Sequence, residues 1–310
     1  MMRRIAIATK KVVGRSVSYL KKAAPISVGL ISKIKYVKTY AKAGMIDALY
    51  AIPYKDACSQ TLFVNSNKWD YLIILDACRY DTFEKYVWKY LDGKLLRAWS
   101  PGGYTVKWFR RTWTKIYKDV VYISSVPFIK RKDIKIRRKF LRIVDAWDIG
   151  WDEKVYTVPP WNMNKIVLQE IKFTKIRRKL GKYPSRVRFV IHYVQPHAPY
   201  LAGPINFSKL YELYLGEIKD KVGIVPEHAI LLHLFNVLKD TKKVNEALRR
   251  EYEENLKLVL KFVAEIIPYL QGKIVITSDH GELLGEYGLY FHPIDALIPE
   301  LRCVPLFIVK

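Results

Sequence analysis

The sequence predicts an α/β domain with a mostly parallel central sheet and helices on both faces. Three observations predict it. Short apolar runs recur along residues 69–310, and they are continuous rather than alternating, as in strands buried on both faces. Helical stretches separate them. Two of the runs end directly in carboxylates, and in open α/β sheets ligands collect beyond the carboxyl ends of strands.

The first element stands apart from that pattern. Residues 1–55 hold twelve Lys and Arg against one acidic residue, Asp47. Ile5, Val12, Val13, Val17 and Leu20, then Leu30, Ile31, Ile34 and Val37, recur at near-helical spacing, with Pro25 and Gly29 between the two groups. Two basic amphipathic helices are expected. They suit an anchor on an anionic membrane surface, where each cation adds about 1 kcal/mol. Two ordinary helices with solvated lysines would read the same way. We draw the expected boundary after residue 68: residues 1–68 a basic, helical N-terminal extension, residues 69–310 the α/β domain.

The expected strands follow in order. They are Trp69 to Asp76, Asp119 to Ser124, Arg186 to Val194, Lys273 to Asp279 and Val304 to Val309. The clearest helix runs from Asn245 to Ile267. Leu248, Tyr252, Leu256, Val259, Leu260, Val263 and Ile267 form its stripe, Pro268 stops it, and Gly272 precedes the next strand. The basic run from Lys130 to Lys139 reads as a solvated face, with a polyanion site as the alternative.

Composition sets the outer limits. Half of the 310 residues are hydrophobic, enough to fill a core and to exclude a disordered chain. Three cysteines exclude a disulfide scaffold. No apolar run approaches the roughly 18 residues of a membrane-spanning helix. The apolar start, Ile5 to Thr9, is cut short by Lys10 and Lys11, so no secretion signal is read and a cytoplasmic location is expected, peripheral to the membrane if the anchor holds. Lys and Arg number 54 against 29 Asp and Glu, a net charge of +25. Such a surface favours polyanions: nucleic acid, anionic lipid, or phosphorylated and sulfated substrates.

The candidate chemistry sits at strand ends. One run ends Leu75-Asp76-Ala77-Cys78-Arg79-Tyr80-Asp81, another Thr277-Ser278-Asp279-His280-Gly281-Glu282, and a third enters Gln195-Pro196-His197-Ala198-Pro199-Tyr200. Asp76, Asp279, His280 and His197 make a mixed oxygen and nitrogen donor set suited to Zn²⁺ or Mn²⁺. A lone Asp at a strand end is usually a turn residue. Two such termini, one continuing Asp-His-Gly, are a stronger signal. His192 lies within a strand and is expected in the core.

Taken together and in order, these blocks resemble the alkaline phosphatase superfamily, in its archaeal sulfatase-like branch. The remaining blocks that carry the resemblance are Ser100-Pro101-Gly102-Gly103-Tyr104-Thr105-Val106-Lys107, Asp145 to Trp151, Thr157 to Pro160, and Gly288-Leu289-Tyr290-Phe291-His292. The resemblance covers residues 69–310 and implies a metal-dependent hydrolase or transferase acting on a phosphate or sulfate ester. It implies Asp76, Asp279 and His280 as ligands of a divalent ion, Zn²⁺ or Mn²⁺ first and Mg²⁺ or Ca²⁺ next. It implies Thr105 as the nucleophile, at a helix start. Ser100 is the second nucleophile candidate, and a plain helix cap is the structural alternative for Thr105. His197 and His292 are expected to bind a second metal or the substrate anion, and Arg79 and Lys107 to clamp substrate oxygens. Arg79 could instead pair with Asp81. Arg302 is expected to anchor the last strand.

One departure narrows the reading. Formylglycine sulfatases carry Cys-x-Pro-Ser-Arg, and none of Cys58, Cys78 or Cys303 has that context. A threonine-dependent phosphoester enzyme is therefore expected. The alternatives are a sulfatase without formylglycine and a non-catalytic binder of polyanions or membrane surfaces on the same fold. Nucleic acid is the less favoured partner, because the Asp, Thr and Asp-His set is complete.

Overall fold

The computed structural model describes residues 56–129, 133–205, 210, 226–293 and 295–310. The two basic helices expected over residues 1–55, and Lys130 to Lys132 of the basic run, lie outside the described residues.

In chain order the elements are β1 (Cys58–Ser59), α1 (Gln60–Val64), β2 (Tyr71–Leu75), α2 (Tyr80–Tyr86), β3 (Gly93–Trp99), α3 (Thr105–Thr112), β4 (Tyr117–Ser124), α4 (Ile134–Arg137), β5 (Phe140–Asp145), α5 (Ala146–Gly150), α6 (Pro160–Lys179), β6 (Arg188–Tyr193), α7 (Pro226–Leu238), α8 (Thr241–Ile266), β7 (Ile274–Thr277), β8 (Leu283–Leu284), β9 (Tyr290–Phe291), α9 (Pro299–Arg302) and β10 (Cys303–Val309). Eight strands form one sheet in the order β1-β3-β10-β7-β2-β6-β4-β5, and β8 and β9 form a separate small ribbon. Only β10 runs against its neighbours: it is antiparallel to both β3 and β7, and every other pairing in the large sheet is parallel. The mostly parallel sheet expected from the apolar runs is therefore present.

The residues of β2 show why the sheet needs cover on both sides. All five are buried. Tyr71, Ile73 and Leu75 pack into one core, with Leu256, Val259, Leu260 and Val263 of α8 and Met163, Val167 and Ile171 of α6. Leu72 and Ile74 point the other way, into a core built on Trp69, Trp108, Phe109 and Trp113. The period-two alternation of a strand thus feeds two apolar layers, and a continuous apolar run is the result.

α8 starts earlier than its apolar stripe suggests. The Asp240 side chain accepts from the Lys243 N–H and caps the helix ahead of Thr241. Three strands carry weaker sequence signals. β3 reads Gly-Lys-Leu-Leu-Arg-Ala-Trp and is mostly half-exposed, so charged residues interrupt it. β5 is an edge strand with Arg142 inside it. β1 is two residues long, yet it joins the sheet beside β3, and the Gln60 amide that follows donates to Thr277 Oγ1 at 2.8 Å. The sheet therefore takes in residues upstream of Trp69.

Because β2, β3, β6 and β7 run the same way, their carboxyl ends meet on one edge. Asp76, the loop to Thr105, the loop to His197, and Asp279-His280 all emerge there.

Candidate active site

Asp76 follows β2 and begins a tight turn. Ala77 takes a left-handed backbone (φ 58°), unusual for a residue with a Cβ. The turn is held from both sides. The Ala77 N–H donates to Asp279 Oδ1 at 3.1 Å and the Cys78 N–H to Ser278 Oγ at 2.8 Å. Tyr252 of α8 donates its hydroxyl to the Ala77 carbonyl at 2.7 Å and accepts from the Arg79 N–H at 2.9 Å. The ends of β2 and β7 are thereby locked together, and their two carboxylates share one place.

Asp279 and His280 follow β7, fully buried. Asp279 Oδ1 accepts from the Ala77 and His280 N–H groups. The His280 ring is oriented by its own neighbour: Nδ1–H donates to the Gly281 carbonyl at 2.8 Å. A carbonyl can only accept, so the lone pair sits on Nε2. That atom lies 3.5 Å from Asp76 Oδ1, 3.3 Å from Asp279 Oδ2 and 3.2 Å from Thr105 Oγ1. Gly281 is required beside it. A Cβ there would run into the Glu300 carbonyl, while the Gly281 N–H donates to the Leu301 carbonyl at 2.9 Å.

Thr105 is the first residue of α3 and is 7% exposed. It is not a cap: Tyr104 holds that position and makes no side-chain cap bond. The first-turn N–H groups of α3 so keep their partial positive charge beside the Thr105 hydroxyl. Ser100, the second nucleophile candidate, is fully buried, and its hydroxyl is engaged with the Gly102 and Asp279 carbonyls. It shapes the loop instead of facing the cluster.

His192 was expected in the core, and it is fully buried on β6. Its side chain also belongs to the cluster. Alternation along β6 turns it to the Trp108 face, where Nδ1 meets the Tyr122 hydroxyl at 2.9 Å. Nε2 faces Asp279 Oδ2 at 4.0 Å. Burial pushes the imidazole down to about 4, so the ring is neutral.

The electrostatics of this cluster are unbalanced. Asp76 Oδ1, Asp279 Oδ2 and His192 Nε2 are all buried and have no hydrogen-bond partner among the described residues. Together they form a group whose donor atoms could hold a metal ion. Burial first, and then the neighbouring Asp279 charge, push the Asp76 carboxyl well above its usual range. Buried unpaired carboxylate and imidazole atoms are costly, and a divalent cation among oxygen and nitrogen donors would satisfy all three.

A second group adjoins the first. His292 Nδ1 lies 2.9 Å from Glu282 Oε1, and Glu282, fully buried, keeps Oε2 without a hydrogen-bond partner. His197 completes the set. The His292 ring stands 4.5 Å from the His280 ring and 5.1 Å from the His197 ring, centroid to centroid. The His197 N–H also donates to the Asp76 carbonyl at 3.2 Å. His197 and His292 thus stand together next to the first cluster. Glu282 is the member that sequence reading missed, although it stands two residues after His280.

Of the two expected substrate contacts, Arg79 is engaged within the protein. The Arg79 guanidinium is buried and engaged, with Nη2 2.6 Å from Asp81, Nη1 2.6 Å from Glu286, and a further bond to the Glu282 carbonyl. Its pairing with Asp81 replaces the expected substrate clamp, because two carboxylates and burial hold it in place. Lys107, in the first turn of α3, is half-buried and makes no hydrogen bond or ion pair with the cluster among the described residues. Arg302 does anchor the last strand, bonding the Ala296 and Ser100 carbonyls.

No family model and no curated protein matches this chain. Among solved structures the chain is similar to the soluble domain of lipooligosaccharide phosphoethanolamine transferase A from Neisseria meningitidis, with 15% identity over 83% of this chain and 78% of that one and a TM-score of 0.45. It is also similar to the phosphonate monoester hydrolase of Agrobacterium radiobacter, with 12% identity over 77% and 67% and a TM-score of 0.44. A third is a protein in the alkaline phosphatase superfamily from Vibrio parahaemolyticus, with 10% identity over 78% and 60% and a TM-score of 0.44.

Proposed function

We propose that the chain is a metal-dependent enzyme that cleaves or transfers a phosphoryl group from a phosphate ester through Thr105. One observation carries this reading: three buried, partnerless donors, from Asp76, Asp279 and His192, gather within 4.8 Å of one another, and His280 Nε2 stands between both carboxylates and the Thr105 hydroxyl at a helix start.

Asp76, Asp279 and His192 offer the partnerless donors that would hold the ion, and His280 Nε2, 3.5 Å from Asp76 Oδ1 and 3.3 Å from Asp279 Oδ2, would be its fourth ligand. Zn²⁺ and Mn²⁺ suit the mixed donors best. When bound, the cation would neutralise phosphoryl oxygens and lower the pKa of the attacking hydroxyl. The protein supplies the rest. The Gly281 carbonyl fixes the His280 ring, and the turn at Ala77 fixes Asp76. α3 presents Thr105 with uncapped N–H groups behind it. Thr105 gives up its hydroxyl proton to solvent as Oγ1 bonds to phosphorus, the ester P–O bond breaks, and the leaving oxygen takes a proton from solvent. Water, or a second alcohol, then releases the phosphoryl group from Thr105. His197, Glu282 and His292 lie where they would bind a second ion or the substrate's anionic group.

The test is metal content by mass spectrometry on the purified chain and on Asp279→Ala, followed by turnover of nitrophenyl phosphate, a phosphodiester and nitrophenyl sulfate. One or more equivalents, lost in the variant, together with phosphate-ester turnover, is the expected result. No bound metal after incubation with excess ion would overturn the reading. Turnover of the sulfate alone would replace it with a sulfatase that lacks formylglycine.

A further inference from the structure

One side chain of α8 holds the loop that carries His197. Asn255 lies near the middle of that helix and is fully buried. Its Nδ2 amide donates to the Pro196 carbonyl at 3.0 Å and to the His197 carbonyl at 3.1 Å, with the Pro199 carbonyl 3.4 Å away. Its Oδ1 accepts from the Leu201 N–H at 3.0 Å. We infer that Asn255 is the positioning residue for His197, and through it for the donor group of His197, Glu282 and His292. The inference deepens the function proposed above and rests on its reading of that group as a site for an ion.

The place of Asn255 on its helix is the first argument. Leu248, Tyr252, Leu256 and Val259 of α8 are all buried in apolar cores around it. Asparagine is a weak helix former, and a buried amide costs free energy unless it is bonded. Both polar atoms of this amide are used, and every partner lies within residues 196–201. An apolar side chain would serve α8 better. The amide serves the loop.

The loop needs that support. Pro196 and Pro199 have no N–H, so two donors that could close turns within residues 195–200 are missing. The carbonyls of Pro196 and His197 are bonded from α8 instead, and they lie on either side of the His197 Cα. The His197 N–H itself donates to the Asp76 carbonyl at 3.2 Å. Both peptide planes that flank His197 are thereby fixed.

The ring follows the backbone. His197 Nδ1 lies 2.6 Å from the Ala198 carbonyl. A carbonyl can only accept, so Nδ1 carries the proton and the lone pair sits on Nε2. The Gly281 carbonyl sets His280 in the same way. The Ala198 carbonyl stands between the His197 and Pro199 carbonyls, both of which Asn255 faces, so the amide sets its direction. A ring released from that carbonyl exchanges tautomers and no longer holds its lone pair toward an ion. Tyr252, three residues earlier, braces the Ala77 turn from the same helix. α8 therefore supports both donor groups, Tyr252 the first and Asn255 the second.

The experiment records the histidine side-chain nitrogen resonances of the full-length, metal-free chain, which distinguish the two tautomers. In the wild type His197 and His280 should each show a single Nδ1–H form. Asn255→Leu keeps the bulk of the side chain and removes its bonds. The His197 signal should then move to an average of the two tautomers, while His192 and His280 stay in place. Asn255→Ser should move it in the same direction, and it serves if Asn255→Leu does not fold. Equilibrium dialysis with Zn²⁺ reads the ion. The first equivalent should bind Asn255→Leu as it binds the wild type, and the second about tenfold more weakly or worse. His197→Ala should lose as much alone as together with Asn255→Leu, because the amide acts through that ring. An unchanged His197 signal in both variants would overturn the positioning role. So would equal disturbance of His192, His280 and His197, which would make Asn255 a residue of the fold at large. A wild type that binds one equivalent only would remove the second ion from the proposed function, and a shifted His197 signal would then support the positioning role by itself.

Discussion

His280 Nε2 lies 3.2 Å from Thr105 Oγ1, although 175 residues separate the two along the chain. The same nitrogen also faces Asp76 and Asp279, so one imidazole joins the prospective nucleophile to both carboxylates. Thr105→Val keeps the shape of the side chain and removes only the attacking oxygen. Turnover should fall by three or more orders of magnitude, with the metal retained by the other ligands. Steady-state rates and metal content measured on the same preparation check this, and wild-type turnover would exclude Thr105.

Asp279→Asn should lose the bound ion, because Oδ2 is one of its partnerless donors. Glu282→Gln should keep the first equivalent. Glu282 bonds His292 and stands outside the Asp76, His192 and Asp279 group. Equilibrium dialysis with Zn²⁺ and Mn²⁺ separates the two variants.

Tyr122→Phe removes the hydroxyl that holds His192 Nδ1. If His192 helps hold the ion, affinity should drop about 10- to 100-fold, the usual effect of losing an outer partner of a liganding histidine. Competition with a chromophoric chelator reads that shift. An unchanged affinity would show that His192 does not touch the ion.

Arg79→Met should destabilise the fold by about 2 kcal/mol, since it removes the buried guanidinium's bonds to Glu286 and the Glu282 carbonyl, while Glu286 keeps Arg249 and Asp81 is exposed to water. KM should stay unchanged in whatever folds, because the guanidinium faces structure and not substrate. Urea denaturation and steady-state kinetics together test both parts.

Glu251 of α8 gives a pH dependence away from the cluster. It is 1% exposed, accepts from the Ile205 N–H at 3.0 Å, and has its second oxygen without a hydrogen-bond partner. Burial pushes its carboxyl up to about 7 from an ordinary 4.5. The folded chain then holds the proton more tightly than the unfolded one. This contribution is full below about 4.5, falls as pH rises toward 7, and is gone above it, at most about 3 kcal/mol. Glu251→Gln should flatten that slope in urea midpoints between pH 5 and pH 8.

Much of this was readable from residue order. The five apolar runs became β2, β4, β6, β7 and β10 within a few residues, because a strand buried on both faces must be apolar throughout. β3 and β5 escaped because half-exposed and edge strands tolerate Lys94, Arg97 and Arg142, which break the apolar signal. Asp76, Asp279 and His280 were legible because each follows a run that had to be a strand. His192 was not. An in-strand histidine looks like core, and only the facing Asp279 distinguishes it. Arg79 was legible in part: its alternative pairing with Asp81, two residues away, is present, but nothing local shows that Glu286, 207 residues away, also holds its guanidinium.

The layered α/β class, the carboxylates at strand ends and the threonine at a helix start were readable from residue order, since they follow from local period and polarity. The tertiary structure decided which of them meet. Strand order places β7 beside β2 and β2 beside β6, and that adjacency alone brings Asp279, Asp76 and His192 to one point. Pairing between strands far apart in the chain is set by the fit of whole faces, and no short stretch of residues encodes it.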